Sequence, residues 1–358
     1  MELDLDELYY DALDLLEAMV RIPSVSRDEK AVADLVEERM RQWGLRPQRH
    51  NNNVWSVMET IDPTREPLLL NAHLDTVKPA AGWQTDPFEP VDDGERITGL
   101  GTNDDGASVV SLMAAYRFMC EYDKEARCRW NLVFLASSEE EVGGKNGIES
   151  AVPLLPKIDV ALVGEPTGMR PAIAEKGLMV LDGVVQGVSG HAAREEGVNA
   201  IYRAMEVVDI LRNMRFEKES QLLGPVKVSV TQINAGTQHN VVPAECRMVV
   251  DVRTTDAYSN EEVLERLCKA MPEWCTLTAR STRLAPSGIS MDHPLMLRVM
   301  ALGREPFGSP TMSDQALLRV PSLKMGPGES SRSHTAGEYI LKSEIREAIE
   351  TYVVVMRG

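Results

Sequence analysis

At 358 residues, with 43% hydrophobic and 26% charged side chains, the chain is long enough for two soluble globular domains with separate cores. Its formal net charge of -17 argues against nucleic acid or an anionic membrane surface as a partner. No apolar run spans a bilayer, the acidic start Met1-Glu2-Leu3-Asp4 is unlike a signal peptide, and the five cysteines form no Cys-x-x-Cys, which together point to a cytoplasmic protein with reduced thiols.

The first hundred residues read as α/β. Residues 5–19 place Leu5, Leu8, Ala12, Leu15, Leu16 and Met19 at helical spacing. Ile22-Pro23-Ser24-Val25-Ser26 breaks that helix, and Asp28 is placed to cap a second one running to about residue 43. Residues 54–58 and 68–72 read as strands, whereas His50 falls in the polar stretch 48–53 and reads as exposed loop. Residues 76–96, rich in Pro, Gly and Asp, suit a surface loop around a site.

The second strand ends in Asn71-Ala72-His73-Leu74-Asp75, a His-x-Asp. Open α/β sheets bind ligands at the carboxyl ends of their strands. A carboxylate two residues on can orient a metal-bound imidazole. Next come Thr98-Gly99-Leu100-Gly101-Thr102-Asn103-Asp104-Asp105-Gly106 and a helix over 107–122. This stretch lacks the lysine of a phosphate loop, and its aspartates would repel phosphate unless a cation intervened. Asp104 and Asp105 read either as cation ligands or as a cap for the helix.

Apolar strands over 131–136 and 158–163 run into Ser138-Glu139-Glu140-Glu141-Val142-Gly143-Gly144 and Gly164-Glu165-Pro166-Thr167. His334 lies in the late loop Ser331-Arg332-Ser333-His334-Thr335. Three strand ends can therefore carry His73, Glu140/Glu141 and Glu165 to one sheet edge. Two histidines and several carboxylates, with no cysteine ligand signature, suit zinc, or cobalt or manganese by substitution, and point away from a structural zinc. Carboxylates packed there without metal would repel one another. Farther along, strand-like runs at 178–188, 226–233 and 246–252 alternate with helix-like 198–212 and 260–271, the order of a ferredoxin-like insert.

The order His-x-Asp, Gly-Leu-Gly-Thr-x-Asp, Glu-Glu, Gly-Glu-Pro-Thr and a late His resembles the co-catalytic dizinc amidohydrolase family. That family includes acetylornithine deacetylase, succinyl-diaminopimelate desuccinylase, aminoacylase and carboxypeptidase G. The resemblance covers nearly the whole chain. It implies an α/β fold, with a zinc-peptidase-type catalytic domain whose central mixed sheet is flanked by helices. Residues 1–176 and 285–358 would form that domain, and 177–284 an inserted ferredoxin-like α+β lid and dimerisation domain.

The family's site residues carry over position by position. His73 and Glu165 would hold one Zn2+, Glu141 and His334 the other, and Asp104 would bridge them through a cis peptide to Asp105. Four positive charges would then meet Asp104, Glu140, Glu141 and Glu165. Glu140 would be the general base, with Asp75 behind His73. Gly187-Val188-Ser189-Gly190-His191 matches the family's glycine–histidine motif, which implies a homodimer through the lid. In that dimer His191 would donate a hydrogen bond to the oxyanion in the other subunit's site. Arg253, Asn240 and Lys176 are candidates for a substrate carboxylate, while His239 and His293 have no match. One departure stands out: many members have Asp-Met-Lys-Gly where this chain has Asp104-Asp105-Gly106-Ala107.

The implied reaction is hydrolysis of the N-acyl amide of an amino acid by a water whose proton passes to Glu140. Gly99-Leu100-Gly101-Thr102 and Asp86-Pro87-Phe88 look closer to acetylornithine deacetylase than to the Gly-Arg-Gly of the desuccinylase. N-acetyl- or N-succinyl-ornithine or -citrulline, in arginine biosynthesis, is the first expectation. The alternatives are N-succinyl-diaminopimelate, small peptides, and a metal-binding module without activity.

Overall fold

The computed structural model describes residues 4–122, 127–194 and 196–358, so the start at residues 1–3 lies outside it. The chain divides into two compact units. One comprises residues up to Ile173 with Gly288–Phe307 and Ser313–Gly358, the other Ala174–Ser287 with Gly308–Met312.

At the centre of the first unit, strand Pro67–His73 lies parallel to Asn131–Ser137 on one side and Val160–Val163 on the other. Leu68, Leu70 and Ala72 enter one hydrophobic core while Leu69 enters another. Both faces are covered, which is why Leu68-Leu69-Leu70 shows no polar alternation. The sheet extends through antiparallel Asn53–Val57 and Gln48–His50 at one side, and parallel Ser322–Lys324 at the other.

Helices Leu5–Val20, Ala107–Tyr122 and Lys342–Met356 contribute Leu8, Leu16, Met113, Ile345 and Tyr352 to the larger core. Helix Ala107–Tyr122 is buried on nearly every side as far as Met119. Its sequence is accordingly apolar all round rather than striped. On the other face Trp55, Leu69, Val133 and Ala161 pack with Ile148 and Ala151.

Two local expectations change. Helix Lys30–Gln42 starts after Glu29, with no side-chain cap from Asp28. Glu29 is instead fully buried, and its Oε1 accepts from the Arg27 and Glu139 amides at 2.6 and 3.2 Å. His50 is not in a loop: it ends strand Gln48–His50, which turns back through Asn51 in the left-handed region onto Asn53–Val57.

The second unit runs strand, helix, strand, strand, helix, strand: Gly177–Gln186, Ala200–Asn213, Lys227–Ala235, Glu245–Thr254, Asn260–Ala270 and Cys275–Ala279. Across the antiparallel sheet the order is Lys227–Ala235, Glu245–Thr254, Gly177–Gln186, Cys275–Ala279, a ferredoxin-like arrangement. Met179, Leu181, Val185, Val250 and Val252 point into its core against Val207, Val263 and Leu267, while Asp182, Gln186 and Arg247 point out. Among the described residues no helix is long and apolar enough to cross a membrane.

Gly106 accounts for the missing lysine of Asp-Met-Lys-Gly. A Cβ there would lie 2.5 Å from the Gly101 carbonyl oxygen and 2.8 Å from Leu16 Cδ1, so no side chain fits. Gly106→Ala should cost about 1–3 kcal/mol of stability, seen as a lower urea midpoint. An unchanged midpoint would show that the turn relaxes freely.

Candidate metal centre

Parallel register brings the strand ends together. His73 lies opposite Ser137, and Asn71 opposite Val163, so the segments carrying Glu140, Glu141 and Glu165 leave the sheet beside His73. Beneath them, Asn71 Nδ2 donates to Ser137 Oγ at 2.9 Å, and Ser137 Oγ donates to Asp314 Oδ2 at 2.6 Å.

Asp104 sits between the two histidines. Its Oδ1 is 3.2 Å from His73 Nε2 and its Oδ2 is 3.6 Å from His334 Nε2. Glu141 Oε1 lies 3.0 Å from His334 Nε2, and Glu140 Oε2 lies 3.9 Å from His73 Nε2. Ligand-type atoms of His73, Asp104 and Glu141 fall within 4.8 Å of one another, as do those of His73, Glu140 and Glu165. The Asp104–Asp105 peptide bond is cis.

His73 Nδ1 is 2.9 Å from the carbonyl oxygen of Asp75. A carbonyl can only accept, so Nδ1 carries the proton and Nε2 faces the acidic groups. The Asp75 carboxylate is farther from that ring, at 3.6 Å, and accepts from Ser26 Oγ at 2.7 Å and from the amides of Glu140 and Glu141 at 2.9 and 3.1 Å. Asp75 thus holds the acidic loop as well as backing the imidazole.

The three consecutive glutamates divide by backbone geometry. Glu139 is left-handed (φ 56°), and its carboxylate accepts from the Asn146 amide at 3.2 Å and Asn146 Nδ2 at 2.9 Å. A Cβ on Gly144 would lie 1.8 Å from Glu139 Oε2, which accounts for the glycine there. Glu140 and Glu141 are left to face the histidines.

Electrostatics follow from burial. Burial pushes the carboxyls of Glu140 and Glu165 well up; repulsion from Glu165, Asp314 and Glu141 adds to it at Glu140, and repulsion from Asp104 and Asp105 at Glu165. Lys324, itself buried, opposes the rise at Glu165. Burial raises Asp314 to about 6. Burial alone would lower His73, but Asp104 and Asp75 outweigh it and hold the imidazole well above its ordinary value. Imidazole nitrogens and clustered carboxylates are a donor set suited to zinc, cobalt or manganese. The mutual repulsion of these carboxylates is what divalent cations would relieve, so the residues fit a dinuclear site.

The remaining candidates lie in the second unit. His191 is exposed in the short pair Gly190–His191 with Val241–Val242, and its Nδ1 accepts from the Ala193 amide at 3.1 Å. The Asn240 carbonyl accepts from the Ala192 amide at 3.0 Å, so Asn240 neighbours it. Arg253 is already engaged by the Asp251 carboxylate through two bonds of 3.0 and 3.1 Å. Lys176 is lowered by burial and by the charges of Lys227 and Arg253. His293 has a structural task, its Nδ1 accepting from the Leu295 amide at 3.2 Å to cap helix Pro294–Ala301. Glu29, Asn103, Asp314 and Glu338 carry no signal in the sequence, because their partners lie far along the chain: Asn103 is only the variable position before Asp104, and Glu29 stands beside Asp28.

Comparison with known proteins places this geometry. Residues 173–273 match the model of the peptidase dimerisation domain, and residues 53–162 that of peptidase family M28. A tripeptidase from Staphylococcus aureus is 18% identical, with 97% of each chain covered and a TM-score of 0.77. A dinuclear metal-binding peptidase of the M20 family from Bacillus subtilis is 14% identical over 98% of each chain, with a TM-score of 0.75. An M20 family metallo-carboxypeptidase from Sulfolobus solfataricus is 16% identical, covering 96% of this chain and 98% of its own, with a TM-score of 0.73. The fold is therefore that of the M20 peptidases. Within it, the inserted unit is the part that matches the peptidase dimerisation domain.

A bridged site makes a stoichiometric prediction. Two divalent ions per chain are expected; His73→Ala and Glu165→Ala should each weaken one position, and Asp104→Ala both. Metal analysis after dialysis checks this, and a single ion that survives loss of Asp104 would contradict bridging.

Proposed function

We propose that the protein is a zinc-dependent amide hydrolase that removes the N-acyl group from an N-acylated amino acid. The observation that carries the proposal is the clamp of Asp75 on two successive amides. It turns Glu141 toward His334 and Asp104 while Glu140 faces His73. His73, Asp104, Glu141, Glu165 and His334 would hold the ions. When bound, divalent ions supply a water of lowered pKa and polarisation of the amide carbonyl. Glu140 accepts the proton of the attacking water and returns it to the leaving nitrogen. Lys176 and Arg253, with Lys227 beside them, and separately Asn240 beside His191, are the groups proposed to anchor the substrate carboxylate.

The proposed working form is a homodimer. Support comes from the dimerisation-domain match and from apolar surface on the second unit. Ile201, Tyr202 and Met205 of helix Ala200–Asn213 are exposed, as is Ile233 of the edge strand Lys227–Ala235.

N-acetyl- or N-succinyl-ornithine or -citrulline is the first substrate choice, on the loop motifs Gly99-Leu100-Gly101-Thr102 and Asp86-Pro87-Phe88. A second reading, cleavage of small peptides, is favoured by the tripeptidase and carboxypeptidase among the similar structures. Assay against acyl-ornithines, acyl-citrullines, succinyl-diaminopimelate and di- and tripeptides separates the two. On the preferred substrate Glu140→Gln should lower kcat by orders of magnitude with both ions retained. Loss of an ion instead would make Glu140 a ligand.

His191 is proposed to donate to the oxyanion in the other subunit's site. His191→Ala and Glu140→Ala homodimers should then both be nearly inactive. In a mixed dimer one site carries both lesions, and the other is intact. Co-expression with two tags at equal amounts should recover about a quarter of wild-type activity, since about half the dimers are mixed. Mixed dimers as inactive as their parents would rule out a role across the dimer.

A further inference from the structure

The bridging aspartate and the late histidine lie on segments 230 residues apart in the chain, and two polar residues that touch neither histidine fasten those segments together. Asn103 is fully buried. Its Nδ2 donates to the Glu329 carbonyl at 3.1 Å and to Ser333 Oγ at 3.1 Å, while its Oδ1 accepts from the Glu329 amide at 3.0 Å. The amide is thus used at both ends on the loop that leads to His334. In return Glu338, also buried, accepts through Oε1 from the amides of Asn103 and Asp104 at 2.9 and 3.0 Å.

The surrounding backbone is shaped to this stitch. A Cβ on Gly328 would lie 2.3 Å from Asn103 Oδ1, and Gly328 itself is left-handed (φ 82°). His334 is left-handed too (φ 60°), which is uncommon for a side chain of its size and persists where neighbours over-determine the backbone. Ser333, immediately before it, is the residue whose hydroxyl Asn103 grips. His334 is exposed, as are Thr335, Ala336 and Gly337 after it, so its loop depends on such anchors.

We propose that Asn103 and Glu338 are positioning residues that set Asp104 and His334 at the spacing needed to hold the second ion. Asn103 acts on the His334 side and Glu338 on the Asp104 turn. The proposal rests on the dinuclear reading above. It adds that the His334–Glu141 position is the conditional one: it forms only while the two segments are stitched, whereas His73 ends one strand of the central sheet and Glu165 follows another after Gly164.

The test is zinc binding by the full-length dimer, titrated against chelator-buffered free zinc and counted by elemental analysis. Wild type should bind two ions per chain. Asn103→Ala should keep the first ion and weaken the second about 10- to 100-fold, the usual effect of removing a group that orients a metal ligand. Its metal-free melting temperature should fall only as far as that of Asn103→Ser, a smaller loss than the drop in zinc affinity accounts for, and excess zinc should restore kcat. Glu338→Gln keeps an acceptor oxygen and should lose less affinity than Glu338→Ala. If Asn103→Ala does not fold, Asn103→Ser carries the same comparison. Wild type binding two ions with the Asn103 variant binding both as tightly would overturn the proposal. So would a fall in metal-free stability with zinc affinity unchanged, which would make the stitch merely structural. A single ion in wild type would instead overturn the dinuclear reading itself.

Discussion

Repulsion among carboxylates crowded at one edge of the central sheet is the constraint on which the rest of the first unit depends. Asp104, Glu140, Glu141 and Glu165 come together there with Asp105 and Asp314 close behind, all wholly or largely out of water. Charges in such surroundings interact far more strongly than on a wetted surface. His73, His334 and the buried Lys324 offset part of this. A polypeptide keeps so costly a cluster for what it binds, and the donor atoms suit hard or borderline divalent cations.

A second tier of acids makes the first tier rigid. Glu29 takes the amide of Glu139, Asp75 those of Glu140 and Glu141, and Glu338 those of Asn103 and Asp104. Each bond satisfies a backbone donor that an irregular, buried loop would otherwise leave unpaired. The loops at this edge are therefore fixed by their main chain, which leaves the side chains free for chemistry.

How much of this was legible beforehand depended on whether the physics is local. The strands were readable because burial on both faces writes an unbroken apolar run, as in Leu68-Leu69-Leu70. The ferredoxin-like order of the second unit was readable from alternation, as in Gly177–Gln186, and the residues that gather at the sheet edge from the motif order. What a carboxylate bonds to was not readable. Asp28 and Glu29 are adjacent acids, and it is the amides of Arg27 and Glu139 and the side chain of Asn52 that turn Glu29 inward. Asp251 and Arg253 face the same way on one strand, so their pairing follows from the period-two rule. Asn103 and Glu338 belong to contacts spanning more than two hundred residues, for which neither spacing nor propensity leaves a trace.

The placement of the inserted unit has a consequence for biosynthesis. His73, Asp104, Glu141 and Glu165 are all translated before the chain leaves the first unit near Ile173, and it returns to stay only at Ser313. His334, Glu338 and the strand bearing Lys324 come last. On the ribosome, the acidic edge is thus laid down early while its closing histidine and its buried lysine are still missing, so the nascent chain can offer at most an incomplete and strongly anionic site. A truncated product, however well its first strands fold, would carry the charge of the centre without the groups that complete it.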